Sequence, residues 1–181
     1  MDKRRSSGTI PYLFAGISVF KYNPEAQFIY DPNSPHLTRP NSSYNLLQDR
    51  DGDYVELQPL GTEGQETTEF NERKRYNLTQ IGLPVGFGFK FKLSTQWTLG
   101  LEYGIRFTFT DYLDDVSTTY VEPTRIEGQY GPMAAAMADR SPTLHLENDP
   151  RGDDARNDSY GILGLTMTYK IFSNADQCAQ F

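Results

Sequence analysis

The chain has 181 residues and a formal net charge of −7, the length of one domain and an acidic balance that argues against nucleic acid as a partner. Its mean hydropathy is −0.62. No apolar run approaches the 18 or more residues of a spanning helix, which excludes the helical membrane class but leaves the β-barrel class open, because barrel strands are only half apolar. Cys178 is the only cysteine, so an intrachain disulfide and a CxxC metal or redox pair are excluded as well.

The amino terminus is basic, with Lys3, Arg4 and Arg5, but no apolar segment follows of the kind a secretory signal needs. A first strand is predicted over Thr9–Phe20. Leu13, Ala15, Ile17 and Val19 face one way, and Tyr12, Phe14, Gly16, Ser18 and Phe20 the other. A long polar stretch follows, roughly 23–76, with five prolines and one strand-like patch at Tyr54-Val55-Glu56-Leu57.

The clearest signal comes next. Over Gln80–Lys92 the odd positions Ile81, Leu83, Val85, Phe87, Phe89 and Phe91 are apolar, and the even positions hold Gly82, Pro84, Gly86, Gly88, Lys90 and Lys92. A break at Leu93–Gln96 is followed by Trp97, Leu99, Leu101, Tyr103, Ile105, Phe107 and Phe109 on one face. Thr98, Gly100, Glu102, Gly104, Arg106, Thr108 and Thr110 lie on the other. Strict period two over this length predicts two long antiparallel strands joined by a tight turn.

A second long stretch covers about 111–158. Within it Met133–Ala138 suits a short helix ending near Asp139-Arg140, and the remainder reads as turn material. A last strand is predicted over Tyr160–Phe172, with Leu163, Leu165, Met167, Tyr169 and Ile171 on its apolar face and Ile162, Gly164, Thr166, Thr168 and Lys170 opposite.

These faces predict an all-β fold, an antiparallel transmembrane β-barrel with its apolar side outward. Strands of about 9–11 residues, apolar outside and polar inside, are its pattern. The expected lipid-facing residues are Leu83, Val85, Phe87, Phe89, Phe91, Trp97, Leu99, Leu101, Tyr103, Ile105, Phe107, Leu163, Leu165, Met167 and Tyr169. Trp97 and Tyr169, near strand ends, suit an aromatic girdle.

Four strands cannot close a barrel, since the smallest bacterial ones have about eight. The chain is therefore expected to be one domain over 1–181 that supplies roughly the C-terminal four strands, the signal peptide and first hairpins being missing, or else to close by association. Long, short and long connections orient it. The two long stretches become extracellular loops, while the turn Leu93–Gln96 and the tail Ser173–Phe181 face the periplasm. Inside a narrow barrel the charges Glu102, Arg106, Lys90, Lys92 and Lys170 must pair, with Glu102 as the hub facing Lys90 or Lys170.

Catalytic chemistry finds no footing. His36 and His145 are far apart and read as solvated loop residues, and no GxSxG, HExxH or P-loop pattern occurs. Asp49-Arg50-Asp51-Gly52-Asp53 has alternating carboxylates but lacks the glycine and glutamate positions of an EF-hand. Asp111, Asp114 and Asp115 read as a solvated acidic turn in preference to a calcium site. Arg151-Gly152-Asp153 matches an adhesion tripeptide, a match that chance produces often. No catalytic residue, metal, cofactor or small-molecule substrate is expected.

Several strings carry a resemblance. They include Pro11–Gly16, LQPLGTEGQ over Leu57–Gln65, Gln80–Pro84, Trp97–Glu102, FTDYLDDVS over Phe109–Ser117, and Asp139-Arg140-Ser141. Through them nearly the whole chain resembles the PorG-like outer-membrane β-barrel family of the Bacteroidota type IX secretion system. The resemblance implies a non-enzymatic protein of the bacterial outer membrane. It also implies association with a periplasmic lipoprotein ring of the PorK/PorN (GldK/GldN) type, in protein transport or gliding motility. The competing expectation is a small barrel of adhesin or opacity type that acts through its extracellular loops.

Overall fold

A computed structural model describes residues 8–171. The tail Ser173–Phe181, with Cys178, and the basic start lie outside the described residues. The elements in chain order are β1 (Thr9–Ala15), β2 (Ser18–Lys21), β3 (Glu25–Gln27), β4 (Tyr54–Glu56), β5 (Thr79–Lys92), β6 (Trp97–Thr108), α1 (Pro123–Tyr130), α2 (Pro132–Ala138) and β7 (Ser159–Tyr169), with 3-10 helices at Pro35–Thr38, Tyr44–Arg50 and Gln58–Leu60. The chain divides into two compact units. Unit 1 draws on residues up to Ser18, Ile81–Thr108 and the stretch from Ser159, and unit 2 is Val19–Gln80 with Phe109–Asp158.

Unit 1 is antiparallel sheet in the order β1-β5-β6-β7. Among the described residues the sheet is open, with β1 and β7 at its edges. The alternation predicted for β5 and β6 becomes a continuous ladder from Gly82↔Thr108 to Lys92↔Thr98. The connecting turn closes where the Leu93 N–H donates to the Trp97 carbonyl at 3.0 Å, and the Ser94 hydroxyl accepts the N–H groups of Gln96 and Trp97. The single first strand expected over Thr9–Phe20 is instead two. The β1 ladder ends at Ala15↔Val85, and the next residue of β5 is Pro84, which has no N–H to offer a neighbour. Only its carbonyl is used, by Gly16 N–H at 3.0 Å.

Unit 2 departs from the expectation of loop and turn material. β3 and β4 form a small hairpin in the register Glu25↔Glu56 to Gln27↔Tyr54. α1 starts with Glu122 capping Thr124 and with Pro123 in the first turn, where a missing N–H costs nothing. Gly131, at φ 86°, ends α1 and begins α2. A left-handed residue is needed to turn one helix directly into the next, and glycine takes that conformation without strain.

Every fully buried large apolar residue among the described residues belongs to this unit. Phe28, Tyr44, Leu47, Leu57, Met133 and Met137 form one cluster. Val121, Ile126, Ala134 and Ala138 form the second. α2 is buried all round, so small alanines on one side and methionines on the other serve both cores.

Candidate functional site: the exposed apolar face of the sheet

Cross-strand partners share a face, so the registers sort every side chain of the sheet. One face holds Leu13, Phe87, Tyr103 and Leu163 in a row, followed by Pro11, Phe89, Leu101 and Leu165. The next row holds Phe91, Leu99 and Met167. Toward the turn, Trp97 pairs with Tyr169, their ring centroids 4.7 Å apart. The fifteen residues expected to face lipid, Leu83 to Tyr169, share this one face of the sheet.

None of these side chains is buried. Phe91, Leu99 and Ile105 are half-buried and the remainder are exposed. Exposure rises from the central strands to the edges, from 38% at Phe89 on β5 to 72% at Leu165 on β7 and 85% at Leu13 on β1. Soluble proteins rarely show water so large a contiguous apolar surface.

The opposite face is built around glycine. Gly86 and Gly88 on β5 and Gly104 on β6 clear a shallow bed, and the β1 rings Phe14 and Tyr12 lie across it. A Cβ on Gly88 would stand 2.5 Å from the Tyr12 ring. The bed lets the Tyr12 hydroxyl reach across β5 and donate to the Glu102 carboxylate on β6. Lys90 sits 4.9 Å from the centre of the same ring. The group on Glu102 is therefore a tyrosine, where a lysine, Lys90 or Lys170, was expected. Arg106 donates to the Tyr160 hydroxyl at 3.1 Å. Lys92 and Lys170 fall on the same face toward the turn. The tyrosine was missed because the inner aromatics of the first strand look, in sequence, like a blurred alternation.

Unit 2 holds a buried charge knot that single-sequence reading also missed. Glu63 is fully buried. It accepts the Ser117 N–H at 2.8 Å, the Thr118 N–H at 3.1 Å, the Thr118 hydroxyl at 2.8 Å, the Tyr112 hydroxyl at 3.1 Å and the Arg151 guanidinium at 3.1 Å. Asp115 accepts the hydroxyls of Thr62 and of Tyr76, the latter at 2.7 Å, and lies 3.8 Å from Arg151. Burial pushes the Asp115 carboxyl up, against the pull of the Thr62 and Tyr76 hydroxyls and of Arg151. Burial, with Glu63 adding to it, raises the Tyr112 phenol to about 12. The knot joins LQPLGTEGQ to FTDYLDDVS, the two longest strings behind the resemblance. Through Glu63, Tyr112, Asp115 and Ser117 the two strings pack against each other.

Several candidates take new roles. Asp115 is buried in the knot, so the acidic turn Asp111–Asp115 is not simply solvated. The Arg151 side chain is buried too, and a Cβ on Gly152 would run into the Ser117 backbone, so these two residues of the tripeptide belong to the packing while Asp153 is exposed. In Asp49–Asp53, Arg50 pairs with Asp53 and Asp51 accepts the Tyr30 N–H at 2.9 Å, which makes it the turn leading into β4. His36, expected in solvent, is buried against Tyr44, and its Nε2–H donates to the Asp139 carbonyl at 2.6 Å. Burial holds its imidazole below the usual histidine range. His145 stacks on Tyr120 at 4.1 Å and meets Asp139 at 3.1 Å. Ser141 and Asp139 both approach the same nitrogen, Nδ1, of His145. That is not the arrangement of a nucleophilic triad, in which the base bonds the nucleophile through one nitrogen and its orienting acid through the other. Among the described residues, no three His, Cys, Asp or Glu side chains gather in a way that could hold a metal ion.

No family model, no curated protein and no solved structure matches the chain.

Proposed function

We propose that the sheet is part of a transmembrane β-barrel, with its apolar face in lipid and its glycine, tyrosine and charged face toward a narrow lumen. The observation that carries this reading is the inversion of burial. The apolar residues of the sheet are exposed, while the folded connections keep their apolar residues inside. In lipid the exposed face needs no cover, and the open edges beside β1 and β7 take further strands. We further infer, from the resemblance carried by LQPLGTEGQ and FTDYLDDVS, a non-enzymatic outer-membrane component of type IX secretion or gliding machinery. Its partner is a periplasmic lipoprotein ring of the PorK/PorN type.

Affinity purification of the tagged protein from outer membranes in mild detergent tests both layers. A co-purifying lipoprotein ring, lost on deletion of Ser173–Phe181, is the expected result. Recovery from the soluble fraction overturns the barrel. Recovery from the membrane without a ring overturns the secretion role and leaves a barrel that works through its connections. That second reading, a barrel of adhesin or opacity type, is favoured by one observation, the built core of unit 2.

A further inference from the structure

Unit 2 contains a cavity of about 370 Å³, within the range of ligand sites. Phe28, Tyr44, Ala136 and Met137 form its apolar walls, and Ile29 forms a lip that is 69% exposed. The walls are held by stacking. Tyr30, Tyr44 and His36 lie nearly parallel, with ring centroids 5.3 and 5.4 Å apart in succession. The His36 ring is tied to the Asp139 carbonyl, and Asp31 N–H donates to the Tyr44 hydroxyl at 3.1 Å. A site held this way loses little conformational freedom when it is filled.

The charges at the cavity have a sign. Asp31 and Asp139 line it against a single guanidinium, Arg140. Hydrogen bonds from the His145 and Ser141 N–H groups outweigh burial and hold the Asp139 carboxyl below the usual range, so it stays ionised. His36 adds no positive charge at neutral pH. The turn Asp49–Asp53 lies alongside, fastened by Gly52 N–H to the Phe28 carbonyl at 2.9 Å, and its one arginine is taken by Asp53. Unit 2 as a whole carries 21 Asp and Glu against 10 Lys and Arg, a formal charge of −11. Such a field draws cations and repels carboxylates.

We propose that this cavity docks a peptide segment that presents one large apolar or aromatic side chain between lysines or arginines. The apolar side chain enters against Phe28, Tyr44 and Met137, and the flanking cations meet Asp31 and the acidic turn. This inference concerns unit 2 alone and does not rest on where the sheet sits.

Fluorescence anisotropy of the full chain with a labelled Lys-Lys-Phe-Lys-Lys peptide tests it. Saturable binding that weakens with salt is expected. Replacing the peptide phenylalanine by alanine should weaken it about tenfold or more. A Glu-Glu-Phe-Glu-Glu peptide should not bind. Asp31→Asn, which keeps the acceptor for the Asn33 N–H and removes only the charge, should weaken it about threefold and flatten the salt dependence. Ile29→Ser, on the exposed lip, should also weaken it. Equal binding of the phenylalanine and alanine peptides, no binding of either, or binding untouched by both variants overturns the proposal.

Discussion

Gly88 shows how much a single hydrogen can decide. A methyl group there must displace the Tyr12 ring, and with it the bond to Glu102 on the far side of β5. Gly88→Ala is expected to lower stability by about 1–3 kcal/mol, read as earlier unfolding in detergent. Gly128, inside α1, is the control. A Cβ there meets nothing within 4 Å. Gly128→Ala should therefore stabilise by about 0.5–1 kcal/mol through helix propensity. In the knot, Arg151 pairs with both Glu63 and Asp115. Arg151→Met leaves two buried carboxylates without it, and a loss of about 3–5 kcal/mol is expected in denaturant unfolding.

The 3-10 helix Pro35–Thr38 carries a titration. His36 has its folded pKa depressed below the unfolded value of about 6.5, so it binds fewer protons folded than unfolded. Its contribution is complete above that unfolded value and is lost as pH falls through the folded pKa. Unit 2 should accordingly lose stability as pH drops below about 6.5. His36→Gln, which retains a donor for the Asp139 carbonyl, should remove that part of the slope in pH-dependent melting.

The elements also differ in how legible they were. β5, β6 and β7 could be read because a two-residue period repeats over ten or more positions and survives any local exception. The interruption of the first strand lay in another strand, at Pro84, so no local pattern announced it. α2 was visible as an alanine and methionine run. α1 was not, since only Pro123 and Ile126 of it are buried and it contains Gly128. The knot had no periodic trace at all. Glu63 and Arg151 are 88 positions apart, and a buried ion pair looks in sequence like any two surface charges.

At the scale of the molecule, charge and apolarity are sorted in opposite senses. The described part of unit 1 has one carboxylate, Glu102, against Lys90, Lys92, Arg106 and Lys170, while unit 2 is strongly acidic. An arginine placed at Leu165 distinguishes the environments the sheet could occupy. In lipid near the midplane it should cost about 2–4 kcal/mol of stability, whereas at a water-facing edge it should cost almost nothing. Urea unfolding in vesicles reads the difference.

The register pair Gly82↔Thr108 has one more consequence. It brings the two points where the chain leaves and re-enters unit 2 to within one strand spacing. The whole β5–β6 hairpin is thus an excursion whose ends nearly meet. Replacing residues 81–108 by a linker of a few residues should leave a transplantable module, with its two cores and the Glu63–Arg151 pair intact. Cooperative melting and slow amide exchange in a detergent-free sample would mark it as a protein within a protein, one that could be grafted onto another hairpin as it stands.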